Sequence, residues 1–403
     1  MRKTNWQNLY HQSQQLTKPT AIDHLLSETE IGTLETLVIQ ILNKFLDRGE
    51  LHKGIKIYVD KKLRNDIVDL MQARRPQATE SLADWCQQIF GAQKFGVVFN
   101  SLEAYDNRIG EVMVGIVQEL IEVAGLPLGG LSFLFFMGNY GFTPFGIHKE
   151  AKGEEGFLFH LGPAQKKFYT WDSADYNQIE HNTQVFHDVA GMIDEAKCYT
   201  LSPASVMFIP HQVYHIANTE TFSLSVVMDY INPAKETLVK ELAQRIGEAT
   251  VLPQPTADYL PPLKNNAAAS VPTNYIDPVA LHQQFNRALE QKILKLKSNL
   301  GILKPSIRET GKYLPNGNFI TYGKSIFPIY EYQENAAVSY LIARGNLIQI
   351  LPHQNIVTIL AQWNKAQQLS LSDLQEYLQP NWELSNIYGL IDELHRLGAI
   401  EVE

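Results

Sequence analysis

Between residues 95 and 232, the sequence is a succession of short apolar runs separated by turn residues. The runs are rich in β-branched and aromatic residues, and they read KFGVVFN, LSFLFFMG, GFLFHLG, KFYTW, SVMFIP and FSLSVVMDY. Short runs of this composition, with Gly, Pro, Asn or Asp between them, predict β-strands. Many such strands in succession are typical of a sandwich or barrel, so we predict an all-β domain over residues 96–233.

Helical periodicity marks the region that precedes these strands. Apolar residues recur at three- and four-residue steps over residues 33–46, and residues 66–71 and 81–90 repeat the pattern. Residues 1–95 are therefore predicted to be mainly helical.

The region after the strands, residues 234–304, is predicted to be a helical connector. One helix is expected over residues 234–246. A second is expected over 277–300, which Asp277 and Pro278 would open as cap and first-turn residues. Between them, the segment VLPQPTADYLPPLKNNAAASVPT shows neither helical nor strand periodicity, which predicts a linker.

Residues 305–403 are predicted to form a C-terminal winged-helix-like domain. LPNGNFITYG contains an Asn-Gly pair typical of a hairpin turn. Three segments with helical periodicity follow: NIVTILAQWNKA, SLSDLQEYL and SNIYGLIDELHRL. The chain then ends in the strand-like AIEVE. Residues 351–403 hold two Lys or Arg against seven Asp or Glu, a net charge of −5. This charge disfavours DNA binding, whereas an acidic surface attracts a basic peptide or protein.

The composition of the whole chain excludes several classes of protein. A net charge of −9 argues against a broad basic face for nucleic acid or anionic lipid. The two cysteines, Cys86 and Cys198, are too few for a disulfide framework or a thiolate metal site. The most apolar stretch, residues 128–138, is too short to span a bilayer. We expect a cytoplasmic protein with no nucleic-acid partner and no membrane partner.

Two segments of the strand-rich region suggest a metal site. His148 and Glu150 stand two residues apart on a predicted strand, so both side chains point to the same face. A later segment, IPHQVYH, places His215 at the end of a strand and turn, and a barrel can bring it beside the first pair. Two His and one carboxylate leave one face of an octahedral iron(II) ion open, as in non-haem oxygenases.

These segments resemble the iron-binding strands of the JmjC-type cupins, which are double-stranded β-helix oxygenases dependent on iron(II) and 2-oxoglutarate. HKE resembles the family's His-x-Asp/Glu ligand pair, IPHQVYH resembles the motif that supplies the second His, and FLFHLGPAQKKFYTW resembles the strand–turn–strand between them. The later helices and acidic tail resemble the bacterial ribosomal-oxygenase branch. Glu150 stands where the family more often has Asp.

The resemblance implies roles for further residues. His148, Glu150 and His215 would hold iron(II), and Lys166 would bind the distal carboxylate of 2-oxoglutarate, with Lys167 as the alternative. Tyr140, Thr143 and Ser225 are further candidates for co-substrate binding. We expect the remaining histidines near these segments to be structural or merely exposed: His160, His187 and His211.

The implied activity is hydroxylation of an amino-acid side chain in a protein or peptide, either a ribosomal protein or a natural-product precursor. The resemblance also implies a homodimer formed through the helices at 234–246 and 279–300. Two alternatives remain open from the residues themselves. One is a cupin-type metal-dependent isomerase or lyase, which would not need Lys166, and the other is a non-catalytic binding module.

Overall fold

The computed structural model of the 403-residue chain describes residues 2–48, 54–173, 176, 185–251, 278–335 and 337–403. Almost all of the predicted linker, together with Asp277, lies outside the described residues. The chain forms two compact units, Met1–Asn232 with Leu300–Glu309 and Pro233–Asn299 with Thr310–Glu403. Among the helices that the structure describes, none has the length and apolar character needed to cross a bilayer.

The α-helices in these residues are α1 (Arg2–Gln12), α2 (Glu28–Arg48), α3 (Ile67–Ala73), α4 (Leu82–Phe90), α5 (Asn107–Ala124), α6 (Lys235–Val251), α7 (Pro278–Ser298), α8 (Ile356–Trp363), α9 (Leu371–Leu378) and α10 (Leu384–Arg396). The strands of the first unit are β1 (Thr20–Ile22), β2 (Ile55–Val59), β3 (Lys62–Leu63), β4 (Phe95–Phe99), β5 (Gly130–Gly138), β6 (Gly141–Phe142), β7 (Ile147–His148), β8 (Glu154–Pro163), β9 (Lys166–Trp171), β10 (Val185–Phe186), β11 (Lys197–Leu201), β12 (Val206–Ile209), β13 (Tyr214–Thr219) and β14 (Ser223–Ile231). The strands of the second unit are β15 (Ile320–Gly323), β16 (Tyr330–Asn335), β17 (Val338–Ala343), β18 (Asn346–Ile350), β19 (Gln368–Ser370) and β20 (Ile400–Val402).

Two antiparallel sheets build the first unit. The larger has eight strands in the order β1-β12-β8-β14-β5-β4-β2-β3, and the other has the order β10-β7-β13-β9-β11 with β6 beside β13. The central strand β14 pairs with β5 on one side and with β8 on the other. The chain is thus a mixed α and β protein with antiparallel sheets.

The alternation of side chains along β8 gives the larger sheet two different faces. Phe157 and Phe159 point to one face, where their rings lie 6.2 and 6.3 Å from that of Trp6 in α1. The Trp6 indole N–H donates to the carbonyl of Ile116 in α5 at 3.0 Å. Helices therefore cover this face, and the intervening β8 residues, including Leu158, point to the opposite face.

The first unit departs from the predicted pattern in two places. Helices α2, α3 and α4 confirm the three helical patterns before residue 95, but β1, β2 and β3 from the same region join the larger sheet. Helix α5 lies inside the region predicted to be all β. Its buried residues Ile109, Met113, Val117 and Leu120 follow helical spacing, and the Asp106 side chain caps it by accepting from the Arg108 N–H.

The second unit contains α6, α7, two three-stranded sheets (β16-β17-β18 and β19-β15-β20) and α8 to α10. The three predicted C-terminal helices and the final strand are all present. The expected Asn-Gly hairpin is wrong, because β15 pairs with the distant β19 and β20. A buried arginine, Arg344, donates to Asn299 Oδ1 at 3.0 Å and to the Gly398 carbonyl at 3.2 Å, which ties the end of α7 to the residues after α10.

Candidate functional site

His148, Glu150 and His215 come together in the first unit. Strand β7 pairs with β13 so that His148 lies directly opposite His215, and Glu150 follows in the turn after β7. The Glu150 Oε1 atom lies 3.7 Å from His148 Nε2 and 3.5 Å from His215 Nε2. One ligand atom from each residue lies within 4.8 Å of the other two, which is close enough for a single ion.

Backbone carbonyl groups fix the orientation of both imidazoles. His148 Nδ1 lies 3.1 Å from the Gly146 carbonyl, and His215 Nδ1 lies 3.0 Å from the Val213 carbonyl. A carbonyl can only accept, so each Nδ1 carries a proton, and in the neutral ring the Nε2 lone pair is then free to bind a metal. This is the arrangement that metal-binding histidines show when a second hydrogen bond sets the tautomer.

The charge state of the cluster suits a divalent cation. Burial, and after it the neighbouring His215, lowers the pKa of His148, which favours the neutral imidazole. Burial by itself would raise the pKa of Glu150, but the neighbouring His148 and His215 outweigh it and hold this pKa well below its usual range. Two imidazoles and one carboxylate are the donor set that non-haem iron(II) uses, so the residues present fit iron(II).

The cluster opens into a cavity of about 490 Å³ between the two sheets. Apolar side chains from the inner faces of both sheets line it: Leu134, Phe136, Leu158 and Val227 from the larger sheet, and Phe168 and Ala217 from the smaller one. An apolar cavity with a few polar groups at fixed positions is the usual form of a small-molecule site.

The two candidate lysines point in opposite directions. Lys166 is fully buried, while Lys167 is exposed, as alternation along β9 requires. Lys166 is not itself a lining residue, but its Nζ lies 6.0 Å from the ring centre of Phe136 and 5.9 Å from that of Tyr140, and both rings line the cavity. Burial lowers the pKa of Lys166 to about 7. Of the two lysines, only Lys166 faces the interior.

The other co-substrate candidates occupy different positions. Tyr140 is buried in the cavity wall, and burial raises its pKa. Thr143 also lines the cavity, but its hydroxyl already donates a hydrogen bond to the Ala217 carbonyl of β13 at 3.1 Å. Ser225 is fully buried in β14, and its Oγ accepts a hydrogen bond from Lys166 Nζ at 2.7 Å.

The remaining histidines lie outside the three-residue cluster. His211 Nδ1 lies 2.8 Å from Glu155 Oε1, and His187 follows β10. His160 is fully buried in β8 and hydrogen-bonds to Ser225 and Ala164.

Several polar residues of the cavity were missed in the sequence. They are Lys56, Asn100, Glu154 and Asp229. The alternation in IKIYV, where Ile55, Ile57 and Val59 are buried, was the available signal for Lys56. Burial and the nearby Glu150 and Glu154 raise the pKa of Asp229 to about 7.

Comparisons with known proteins agree with this architecture. The sequence matches no protein-family model and no curated protein. A crystal structure of E. coli YcfD shares 12% identity with the chain, at a TM-score of 0.52 over 99% of this chain and 98% of that one. This chain has the YcfD fold. A second structure, of the E. coli ribosomal oxygenase YcfD with cobalt and 2-oxoglutarate, has a TM-score of 0.51 at 12% identity, with 99% and 98% of the two chains covered.

Replacing His148 by Ala should abolish metal binding and leave the fold intact. His148 supplies one of three ligand atoms and lies at the cavity surface, so its loss opens the coordination shell with little loss of packing. Calorimetric titration of the purified protein with cobalt(II) should show affinity reduced by more than about 100-fold. His211→Ala is the matched control and should bind cobalt(II) normally. Unchanged cobalt affinity in His148→Ala would remove His148 from the site.

Replacing Gly146 by Ala should weaken the same metal site from outside it. Gly146 has φ +89°, and an added Cβ would lie 2.5 Å from the Phe186 carbonyl oxygen, so the backbone that accepts from His148 must shift. We expect a loss of about tenfold or more in cobalt(II) affinity. Gly32→Ala is the control, since an added Cβ there meets nothing within 4 Å. Equal affinities in both variants would show that the Gly146 carbonyl does not orient His148.

Proposed function

We propose that this protein is an iron(II)- and 2-oxoglutarate-dependent oxygenase that hydroxylates an amino-acid side chain of a protein or peptide. The observation that carries the proposal is the convergence of His148, Glu150 and His215 on one cavity, together with a buried lysine, Lys166, behind two aromatic rings of the cavity wall. The likeness in fold to a ribosomal oxygenase that binds cobalt and 2-oxoglutarate supports it.

Strand β9 carries Lys166 and the pairing partner of His215 on one face. Thr170 lies opposite His215, and Lys166 is four residues away on the same strand face, about 13 Å at ~3.3 Å per residue. A 2-oxo acid could reach the metal with its oxo-acid end while its distal carboxylate approaches Lys166. Within the described residues, no carboxylate forms an ion pair with Lys166, so an anionic co-substrate would supply the missing counter-charge.

Each group has a separate task in this proposal. Iron(II) with 2-oxoglutarate would supply the oxidising chemistry for an unactivated C–H bond. His148, Glu150 and His215 would hold the metal, and Lys166 would orient the co-substrate. The apolar walls, including Phe168 and Val227, would exclude water from the reacting centre.

The cavity wall also has polar residues that a substrate would contact. Glu154 and Asp229 line the wall near the metal cluster, and Lys56 and Asn100 line it as well. We propose a ribosomal protein as substrate, as the description of the structural neighbour suggests, with a precursor peptide as the alternative. The test is incubation with iron(II), 2-oxoglutarate and oxygen, followed by mass spectrometry for succinate and for a peptide that gains one oxygen atom.

Lys166 argues against the isomerase or lyase alternative. Such an enzyme uses the same metal ligands and has no need of a buried ammonium group. A non-catalytic module would not need the metal cluster at all. Metal-dependent formation of succinate would exclude both alternatives, and its absence with every candidate substrate and without substrate would contradict the oxygenase.

We further propose that the two sheets of the first unit form a double-stranded β-helix, and that α8 to α10 with β15, β19 and β20 form a winged-helix-like domain. The antiparallel pairing of both sheets around one cavity supports the first. The order of three short helices followed by a final strand that pairs with β15 supports the second.

Replacing Lys166 by Met should abolish 2-oxoglutarate binding while raising the melting temperature. Met keeps the length of the side chain and removes a buried charge that lowers stability, so the loss of function should accompany a gain in stability. Calorimetry on the metal-loaded protein measures the first effect, and thermal unfolding measures the second. Lys167→Met, on the exposed face of β9, should change neither. Normal 2-oxoglutarate affinity in Lys166→Met would refute its role.

We also propose a homodimer formed through α6 and α7. Along α7, Leu281, Phe285, Leu289 and Ile293 are only half-buried, and Val239 of α6 is 48% exposed. Phe285→Asp should therefore convert the dimer to a monomer in light scattering at micromolar concentration, whereas Gln283→Asp should not. A monomeric wild-type protein would contradict this proposal.

A further inference from the structure

The row of residues that lines the cavity continues beyond it to two buried polar groups. On β14, Val227 and Asp229 line the cavity, and Ser225 occupies the next position on the same strand face. On β8, Leu158 lines the cavity and His160 occupies the next position. Ser225 and His160 lie directly opposite each other in the register of the two strands, and both are fully buried.

The proton positions in this group follow from its hydrogen bonds. His160 Nε2 lies 2.7 Å from the Ala164 carbonyl, which can only accept, so Nε2 carries the proton. Burial, and after it the neighbouring Lys166, lowers the pKa of His160 to about 3, so the ring is neutral and Nδ1 has no proton. His160 Nδ1 therefore accepts from the Ser225 hydroxyl at 3.3 Å.

The direction of the Ser225 hydroxyl determines what Lys166 meets. Since its hydrogen points to His160, the Ser225 oxygen presents lone pairs to Lys166 Nζ at 2.7 Å. One of the three ammonium N–H groups is then held by Ser225, and the other two remain to be donated. The four groups form a directed chain from Lys166 through Ser225 and His160 to the Ala164 carbonyl.

We propose that His160 is a positioning residue for the co-substrate: by fixing the Ser225 hydroxyl, it holds the Lys166 ammonium group in the orientation that receives the distal carboxylate of 2-oxoglutarate. This inference rests on the proposed function. The sequence around His160 did not indicate this role. In the structure, His160 touches neither the metal ligands nor the cavity surface.

The test compares two ligands on the metal-loaded protein by calorimetry. 2-Oxoglutarate carries the distal carboxylate, whereas 2-oxobutyrate has the same 2-oxo-acid end without it. His160→Phe keeps an aromatic ring and removes the acceptor, so it should raise the Kd for 2-oxoglutarate about tenfold, the effect of one lost hydrogen bond to a charged group. The Kd for 2-oxobutyrate should stay unchanged.

Two further variants separate positioning from packing. His160→Asn keeps an acceptor near Nδ1 and should recover most of the lost affinity. Ser225→Ala should lose as much affinity as His160→Phe, and the double variant should lose no more than either, because both act through one chain of hydrogen bonds. Additive losses in the double variant would overturn the inference.

The remaining outcomes are equally decisive. Equal 2-oxoglutarate affinity in His160→Phe and the wild type, or an equal loss for both ligands, would overturn the positioning role while leaving the proposed function intact. Failure of the wild type to bind 2-oxoglutarate would overturn both. If His160→Phe does not fold, nitrogen NMR of the wild type decides: Nε2 should stay protonated and Nδ1 unprotonated from about pH 5 to pH 9, and the opposite tautomer would contradict the chain.

Discussion

The register between β7 and β13 is the constraint on which the site depends. Because His148 and His215 lie directly opposite each other, both imidazoles project from the same face of the smaller sheet. A one-residue shift in the pairing register would turn one imidazole to the other face of the sheet and separate the three side chains. The Gly146 and Val213 carbonyls accept from the two Nδ1 atoms and so leave the Nε2 atoms to face a metal.

Strand β9, which pairs with β13, carries a residue of opposite charge to Glu150, Lys166. Glu150 stays ionised in the cavity wall, and Lys166 is buried beside two rings of that wall, with Phe168 between Lys166 and Thr170 on the inner face of β9. An ammonium group without a carboxylate partner lowers stability, so its presence is best explained by an anion that it binds. In the proposed function, the metal and Lys166 would bind the two ends of one co-substrate.

The sequence was informative where function depends on local spacing. The spacing of the His-x-Glu pair predicted that His148 and Glu150 share a face, because a strand has a period of two. The family resemblance, with Lys167 as the alternative, indicated Lys166. The local sequence did not indicate Lys56, Asn100 and Asp229, which line the cavity through the pairing of β2, β4, β5 and β14. Of these residues, Lys56 and Asp229 are 173 positions apart in the chain. Helix α5 was predictable from its apolar spacing and was missed among neighbouring strand-like runs. The Asn-Gly hairpin failed because β15 finds its partners in later segments of the chain.

The most direct test is an anaerobic titration of the protein with 2-oxoglutarate, in the presence and absence of iron(II), monitored by calorimetry and visible absorption. The account predicts tight binding with a new metal-dependent absorption band in the wild type, weak binding without iron(II), and no band in His148→Ala. Binding of 2-oxoglutarate that is equally tight without iron(II), or that survives the loss of both His148 and Lys166, would contradict the claim that the metal cluster and the buried lysine hold one co-substrate between them.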